Sequence, residues 1–501
     1  MVAAVGRHPR RRLAVLVGID QGTSGTAVVA YDDLLKPIAR AYRPLRSRRP
    51  LPGRVEQDPD DIVETIVEAV AQVQDAIGSQ PIDAAGVANQ GETVVAWDRE
   101  SGRALGPAIV WSDRRGEELA DRLRAAGQAP DICATSGLRL DAYFSAAKYG
   151  WLLEHDPAVR RSACAATLSL GTTESWLRRR LGDGRYLSDR STASRTQLLG
   201  LHSGAWEPAL LRPFGVPERA LAEVVPCLCD WGDLHHPSWR TSMPWRASLV
   251  DQPAALAGNG AMERGSIKVT YGTGCFCVLN AGGQAPEPDG DLLASVAWSD
   301  VATTTYALDG GIFSASSALQ WLEQMGILRD AVEASDVALS VSGCAGVRFL
   351  PALDGLGAPW WDTCARGTLG GLSTATTGAH IVRAVLDAIA FRVRDVLEAF
   401  WRKGFAKPAQ LPVDGGLTRN DYLMQRQADV LGLPVARAAD HEATALGAAA
   451  LAGASAGVLA LADLAQLARR TQIFDPRLSA DQRDAQYERW LAWLALARRS
   501  G

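Results

Sequence analysis

The sequence predicts an α/β protein made of two β-hairpin-led domains that face each other across a cleft. Three observations carry this. An apolar run, Leu13 to Ile19, ends in Asp20-Gln21-Gly22-Thr23-Ser24-Gly25 and turns at once into a second run, Ala27 to Tyr31. The same order returns later: Ile267 to Thr270, the turn Tyr271-Gly272-Thr273-Gly274, then Cys275 to Leu279. A third strand, Leu411 to Val413, runs into Asp414-Gly415-Gly416. The chain's 501 residues exceed one ordinary core, so two domains are expected. Facing one another, the three turns would surround a single nucleotide.

In the first hairpin, Gly22 and Gly25 are expected at positive φ. Such a turn aims backbone N–H groups and hydroxyls into a concavity that suits a phosphate, and Asp20 would hold a cation beside it. A strand over Pro37 to Tyr42 follows. Asp58 reads as an N-cap with Pro59 at N1 and Asp61 at N3. The helix it opens runs to Ile77, with Ile62, Ile66, Val70, Val73 and Ile77 on one face. Strands are expected at Ile82 to Ala88 and Glu92 to Trp97, and a charged, exposed helix from Asp113 to Ala126. Asp141 to Leu153 reads as a loop entering a helix, with Phe144 and Trp151 packed in the core. Residues 182–250 look irregular. In the second half, further strands fall at Tyr306 to Leu308 and Leu411 to Val413. Helices are expected at Ser314 to Met325, Thr376 to Trp401, from near Asn420, and over Glu442 to Ala452.

Composition narrows the class. Apolar content of 47% and charged content of 22% belong to a soluble globular protein, and a net charge of −4 gives no overall basic field for nucleic acid. No apolar stretch reaches the ~18 residues that span a membrane. Met1 to Arg12 carries four Arg and is expected to be a disordered basic arm outside the fold. The Cys pairs 227/229 and 275/277 sit in apolar surroundings, where strand alternation would put both sulfurs of each on one face. They read as buried thiols rather than metal ligands, which fits a reduced, cytoplasmic compartment. There is no G-x-x-x-x-G-K-[ST], so a P-loop is excluded, and there is no G-x-G-x-x-G or H-E-x-x-H.

The chain resembles the FGGY carbohydrate kinases, and within them the glycerol kinases. The segments that carry the resemblance run from Val17 to about Gly453. They include Gly18-Ile-Asp-Gln-Gly-Thr, Val55-Glu-Gln-Asp-Pro, Asn89-Gln-Gly-Glu-Thr, Ala108-Ile-Val-Trp-Ser-Asp, Asp141-Ala-Tyr-Phe-Ser, Ser194-Arg-Thr, Val250-Asp-Gln-Pro, Thr270-Tyr-Gly-Thr-Gly-Cys-Phe and Val413-Asp-Gly-Gly. The resemblance implies two ribonuclease H-like (actin/hexokinase-type) domains flanking an ATP and substrate cleft. The polyol-binding domain would span 13–253 and the nucleotide-binding domain 254–501. It implies ATP and Mg2+, phosphorylation of a terminal hydroxyl of a small polyol, glycerol first, and a homo-oligomer (dimer or tetramer).

By resemblance, Asp251 is the general base and Asp20 binds Mg2+. Gly22, Thr23, Ser24, Gly272, Thr273 and Gly274 cradle phosphates, and Ser316, Gln320, Gly416 and Asn420 contact the nucleotide. Gly91, Glu92, Trp111, Tyr143, Asp251, Gln252 and Phe276 line the polyol site. Four positions depart from the pattern. Ala27 replaces a cation on the second strand, and Gly91 replaces an Arg, removing a hydroxyl-binding fork and vacating its volume. Val250 replaces a Gly before the base, and Ser316 replaces a Gly. Gly91 motivates an alternative acceptor, a longer polyol or a ketose. Ala27 motivates a nucleotide- and polyol-binding paralogue with weak catalysis.

Overall fold

The computed structural model describes residues 14–438, 442–466 and 470–499. The expected basic arm, Met1 to Arg12, lies outside the described residues. The first sheet is led by β1 (Leu16–Gln21), β2 (Gly25–Tyr31) and β3 (Pro37–Pro44). After helix α1 (Pro59–Ile77) come β4 (Ala84–Asn89) and, much later, β5 (Met243–Val250). The spatial order is a short edge strand (Asp233–Leu234), then β5-β4-β1-β2-β3. The hairpin strands are antiparallel, while β4 lies parallel to β1 and β5 parallel to β4. Asp58 caps α1 by accepting from the Asp60 N–H, and the five predicted apolar residues of α1 are buried against this sheet.

Helix α2 (Asp251–Gly258) leads to the second sheet: β6 (Ile267–Tyr271), β7 (Cys275–Gly282), β8 (Leu293–Ser299) and β9 (Thr304–Ile312). Helices α3 (Ser316–Gln324) and α4 (Gly378–Arg402) come next, followed by β10 (Leu411–Asp414), α5 (Asp421–Leu431), β11 (Val435–Ala438), α6 (Ala443–Ser455) and β12 (Arg470–Phe474). The order is β8-β9-β7-β6-β10-β11-β12. Its β9-β7-β6-β10-β11 portion repeats the hairpin-then-parallel plan of the first sheet.

Helices α2 and α6 lie between the sheets, and α6 rests on β1, β4 and β5. The approach is backbone to backbone. A Cβ on Gly18 or Gly86 would fall onto the carbonyls of Ala445 and Ala448, and one on Gly447 onto the carbonyl of Ala254. Glycine is required there by proximity rather than by conformation.

Several expectations need correction. Gly22 and Gly25 are not at positive φ. Gly25 is needed because a Cβ would strike the Arg43 carbonyl and the Tyr42 ring. Residues 182–250 are not irregular throughout, since Met243–Val250 is a largely buried strand inside the first sheet. Its Pro244, Trp245 and Arg246 mask the strand pattern. The charged helix starts at Glu117, not Asp113, and Asp113 is fully buried, accepting from the Val55 N–H and from Arg115. Cys275 and Cys277 do share a buried strand face, but Cys227 and Cys229 are not in a strand. Phe144 is buried as expected, whereas Trp151 is half-buried beneath Arg54 and Arg115.

Candidate active site

Parallel strands deliver their carboxyl ends to one edge of a sheet, where α/β proteins bind ligands. In the first sheet β1, β4 and β5 release Gly22–Ser24, Gln90–Glu92 and Asp251–Gln252 at that edge. In the second, β6 and β10 pair in parallel, Thr270 beside Asp414, and so set the Gly272–Gly274 and Gly415–Gly416 turns together. Residues directly opposite in an antiparallel ladder share a face. Lys268 and Val278, Thr270 and Phe276, Phe276 and Gly311, and Val278 and Asp309 are such pairs. One face of the second sheet therefore presents Lys268, Thr270, Phe276 and Asp309, while Cys275 and Cys277 point into the core under α4.

Asp251 is the first residue of α2, and its Oδ1 accepts from the Gln252 N–H at 2.6 Å. Burial and then the Glu92 charge push its carboxyl up to about 6, against the opposing pull of Lys268. Lys268 is fully buried and donates to Gln252 Oε1 (2.7 Å) and Thr270 Oγ1 (2.6 Å), so it fixes the residue beside the base. Burial lowers its own pKa, while Asp414 and Asp251 hold the charge in place.

Trp111 and Tyr143 pack at 5.4 Å between ring centroids, and Tyr143 meets Phe144 edge-on. Burial, then the Glu92 charge, raises the Tyr143 phenol, with Arg195, Asp309 and Asp251 acting on it as well. These groups therefore occupy one neighbourhood. Lys148, buried beneath, donates to the carbonyls of Ala142, Tyr143 and Phe144 at 2.5–3.3 Å and braces this loop. Arg195 donates from Nε to Glu92 Oε1 (2.7 Å) and from Nη1 to Asp309 Oδ2 (2.6 Å), tying the two sheets together. Sequence reasoning assigned no role to Arg195, Asp309, Lys268 or Lys148. The signal available was a charge on an otherwise apolar strand for Lys268 and Asp309, and the quoted Ser194-Arg-Thr motif for Arg195.

The space at the Cβ position of Gly91 is tight. A Cβ there would lie 3.2 Å from Val250 Cγ1 and 3.8 Å from Arg195 Cγ. The two departures at 91 and 250 are thus spatially coupled, with methyl groups supplied from the adjacent end of the neighbouring parallel strand.

At the phosphate turns, the Thr23 hydroxyl faces inward. It accepts from Trp111 Nε1 at 2.8 Å and donates to Gln90 Oε1 at 3.3 Å. What the first turn offers outward are the Thr23 and Ser24 N–H groups, which have no acceptor among the described residues. Thr273 is exposed, with its hydroxyl unbonded among the described residues, and its carbonyl anchors the start of α3 through Ala315 and Ser317. The Ser316 N–H donates to Gly272 O, and Gln320 is exposed one turn on. Gly415, at φ 91°, presses against Tyr271, while a Cβ on Gly416 would meet nothing within 4 Å. Asn420 caps α5 through Oδ1, leaving its Nδ2 buried without a partner. An orphaned amide of this kind suits a ligand contact.

Asp20 lies at the end of β1 near the start of α6, where the Thr444 hydroxyl reaches it. Burial, then the charges of Asp251 and Glu442, hold its carboxyl well above the usual range. Among the described residues no Lys or Arg pairs with it, and no three His, Cys, Asp or Glu side chains form a metal cage by themselves.

The N-terminal domain model of the FGGY family of carbohydrate kinases matches residues 15–244, and the family's C-terminal domain model matches 267–456. The chain is 40% identical to a glycerol kinase of Aromatoleum aromaticum over 483 residues, covering 95% of this chain and 97% of that protein. It is 40% identical to a glycerol kinase of Thermus brockianus with the same coverage. Among solved structures, the Plasmodium falciparum glycerol kinase with ADP superposes at a TM-score of 0.90, with 29% identity, over 97% of this chain and 98% of that one. The xylulose kinase of Rhodospirillum rubrum superposes at 0.84, with 25% identity, over 96% and 98%.

Proposed function

This chain belongs to the FGGY family of carbohydrate kinases, and we propose that it transfers the γ-phosphoryl group of ATP to a terminal hydroxyl of glycerol, giving sn-glycerol 3-phosphate. The carrying observation is Asp251. It is a carboxyl held at about 6 at the carboxyl edge of the first sheet, braced by Gln252 and Lys268 and facing Glu92 and Tyr143. A base of that strength is ionised at neutral pH yet accepts a proton readily.

In this reading Asp251 takes the proton of the attacking hydroxyl as the new O–P bond forms. Glu92 and Gln252 hold the remaining hydroxyls, and Trp111, Tyr143 and Phe276 cover the C–H side. The N–H groups of Thr23 and Ser24, with Thr273 and Gly274, hold the phosphates. Ser316, Gln320, Gly416 and the orphaned Asn420 amide hold the rest of the nucleotide. Asp20 fits Mg2+, because its crowded, cation-free carboxylate environment is relieved by a divalent ion. The lack of an all-protein cage suits an ion whose remaining ligands are phosphate and water. When bound, Mg2+ neutralises charge developing on the phosphates.

No helix among the described residues is long and apolar enough to cross a membrane, and all eight cysteines are free. Together with the family, this supports a cytoplasmic enzyme. A dimer or tetramer is inferred from resemblance alone.

The test is ADP release with Mg·ATP against glycerol, dihydroxyacetone, erythritol, xylitol, ribitol, xylulose and ribulose. Because Val250 fills the corner beside Gly91, glycerol is expected to lead. Turnover led by a five-carbon acceptor would overturn the assignment of substrate, and ATP binding with no turnover would favour a non-catalytic paralogue.

A further inference from the structure

The guanidinium of Arg195 is only 8% exposed and is held on three sides. Glu92, which follows β4, takes Nε, and Asp309 on β9 takes Nη1. Its Cζ stands 5.5 Å from the centroid of the Phe144 ring. The side chain is therefore locked in orientation before any ligand arrives, which is the condition for a geometric discriminator. Two of its three nitrogens are used. Nη2 has no acceptor among the described residues, and it is not one of the unpartnered atoms sealed from solvent. An Arg fork with an open nitrogen, next to Tyr143 and Glu92, can donate to a hydroxyl inside the pocket. At the neighbouring corner, Gly91 brings no donor side chain and Val250 presents methyl groups.

We propose that Arg195 is a specificity-determining residue of the acceptor site, its Nη2 donating to a polyol hydroxyl other than the one phosphorylated. This rests on the polyol kinase reading above. A charge-assisted hydrogen bond lost from a buried site costs about 10- to 100-fold in kcat/KM. Such a bond selects acceptors by the presence of that hydroxyl, since a pocket built to bind a hydroxyl rejects analogues that lack it.

The experiment compares glycerol with 1,2-propanediol and 1,3-propanediol, each of which keeps a primary hydroxyl and lacks one other. The enzymes are the unmodified chain and R195K. Lysine keeps a cation between Glu92 and Asp309 but loses the fork, so it isolates Nη2 from the ion pair. The unmodified chain should prefer glycerol over one of the diols by about 10- to 100-fold in kcat/KM. In R195K that preference should collapse, with glycerol falling and the diol nearly unchanged. A ratio identical in both enzymes, with all acceptors reduced equally, would overturn the assignment and leave Arg195 a structural tie. So would an effect confined to the KM for ATP. As a check that needs no variant, the Arg195 Nη resonances of 15N-labelled protein should shift with glycerol and not with the discriminating diol. If the unmodified chain turns over none of the three, the polyol reading fails and this assignment fails with it.

Discussion

At the scale of single residues, the site depends on charges placed by backbone geometry. Lys268 shows this most clearly. It is fully buried, yet it keeps its place because Gln252 and Thr270 accept from it and Asp414 and Asp251 surround it. Its charge lowers the Asp251 carboxyl, against burial and Glu92, which raise it. Replacing Lys268 by Met removes a lowering influence, so the pKa of the base must rise. The acid limb of the kcat/KM profile, expected near 6 in the unmodified chain, should move to higher pH in K268M. A profile that falls uniformly at every pH would instead mean that Lys268 only supports the fold. The same scale governs the corner at Gly91. A sequence displays the missing side chain at 91 and the added one at 250, but not that they meet across 3.2 Å.

At the scale of elements, the helix pair α2 and α6 sets the relation between the two sheets. The first carries Asp251 at its start, and the second opens beside Asp20 through Thr444. Their backbones touch because Gly447 and Gly258 carry no Cβ, and an added methyl at 447 would collide with the carbonyl of Ala254. G447A should lower unfolding stability by about 1–3 kcal/mol, the usual cost of overpacking a tight core. It should also reduce turnover, since the two acids would separate. G343A is the matched control, because nothing lies within 4 Å of a Cβ there, and it should leave both unchanged. Equal melting curves for G447A and G343A in urea would contradict this role. The sequence periodicity made α1 legible down to its Asp58 cap, because an amphipathic face and a cap are local signals. It did not make β5 legible, because a strand buried on both faces beside Pro and Trp lacks alternation. The C-terminal helix Ala480–Ala497 was also missed; it carries Trp490 and Trp493 in a mixed, largely exposed pattern.

At the scale of the whole molecule, two similar sheets bring three turns and one base around a common cleft. The repeated strand-turn-strand pattern and the Asp-Gly-Gly turn made this plan readable, since each is written in contiguous residues. What the sequence could not display were ties between distant positions. The Arg195–Asp309 pair spans 114 residues, and the Trp111 bond to Thr23 spans 88. That bond also turns the Thr23 hydroxyl away from the phosphate side, leaving the cradle to backbone N–H groups. The central claim is that this cleft transfers phosphoryl to glycerol with Asp251 as base. The most direct measurement is transfer of labelled γ-phosphate from Mg·ATP to glycerol by the unmodified chain and by D251N, with ATP binding followed in parallel. The account predicts sn-glycerol 3-phosphate from the unmodified chain and a rate about 10²- to 10⁴-fold lower in D251N, with ATP affinity retained. D251N transferring at the unmodified rate, or no glycerol phosphate from either protein, would contradict it.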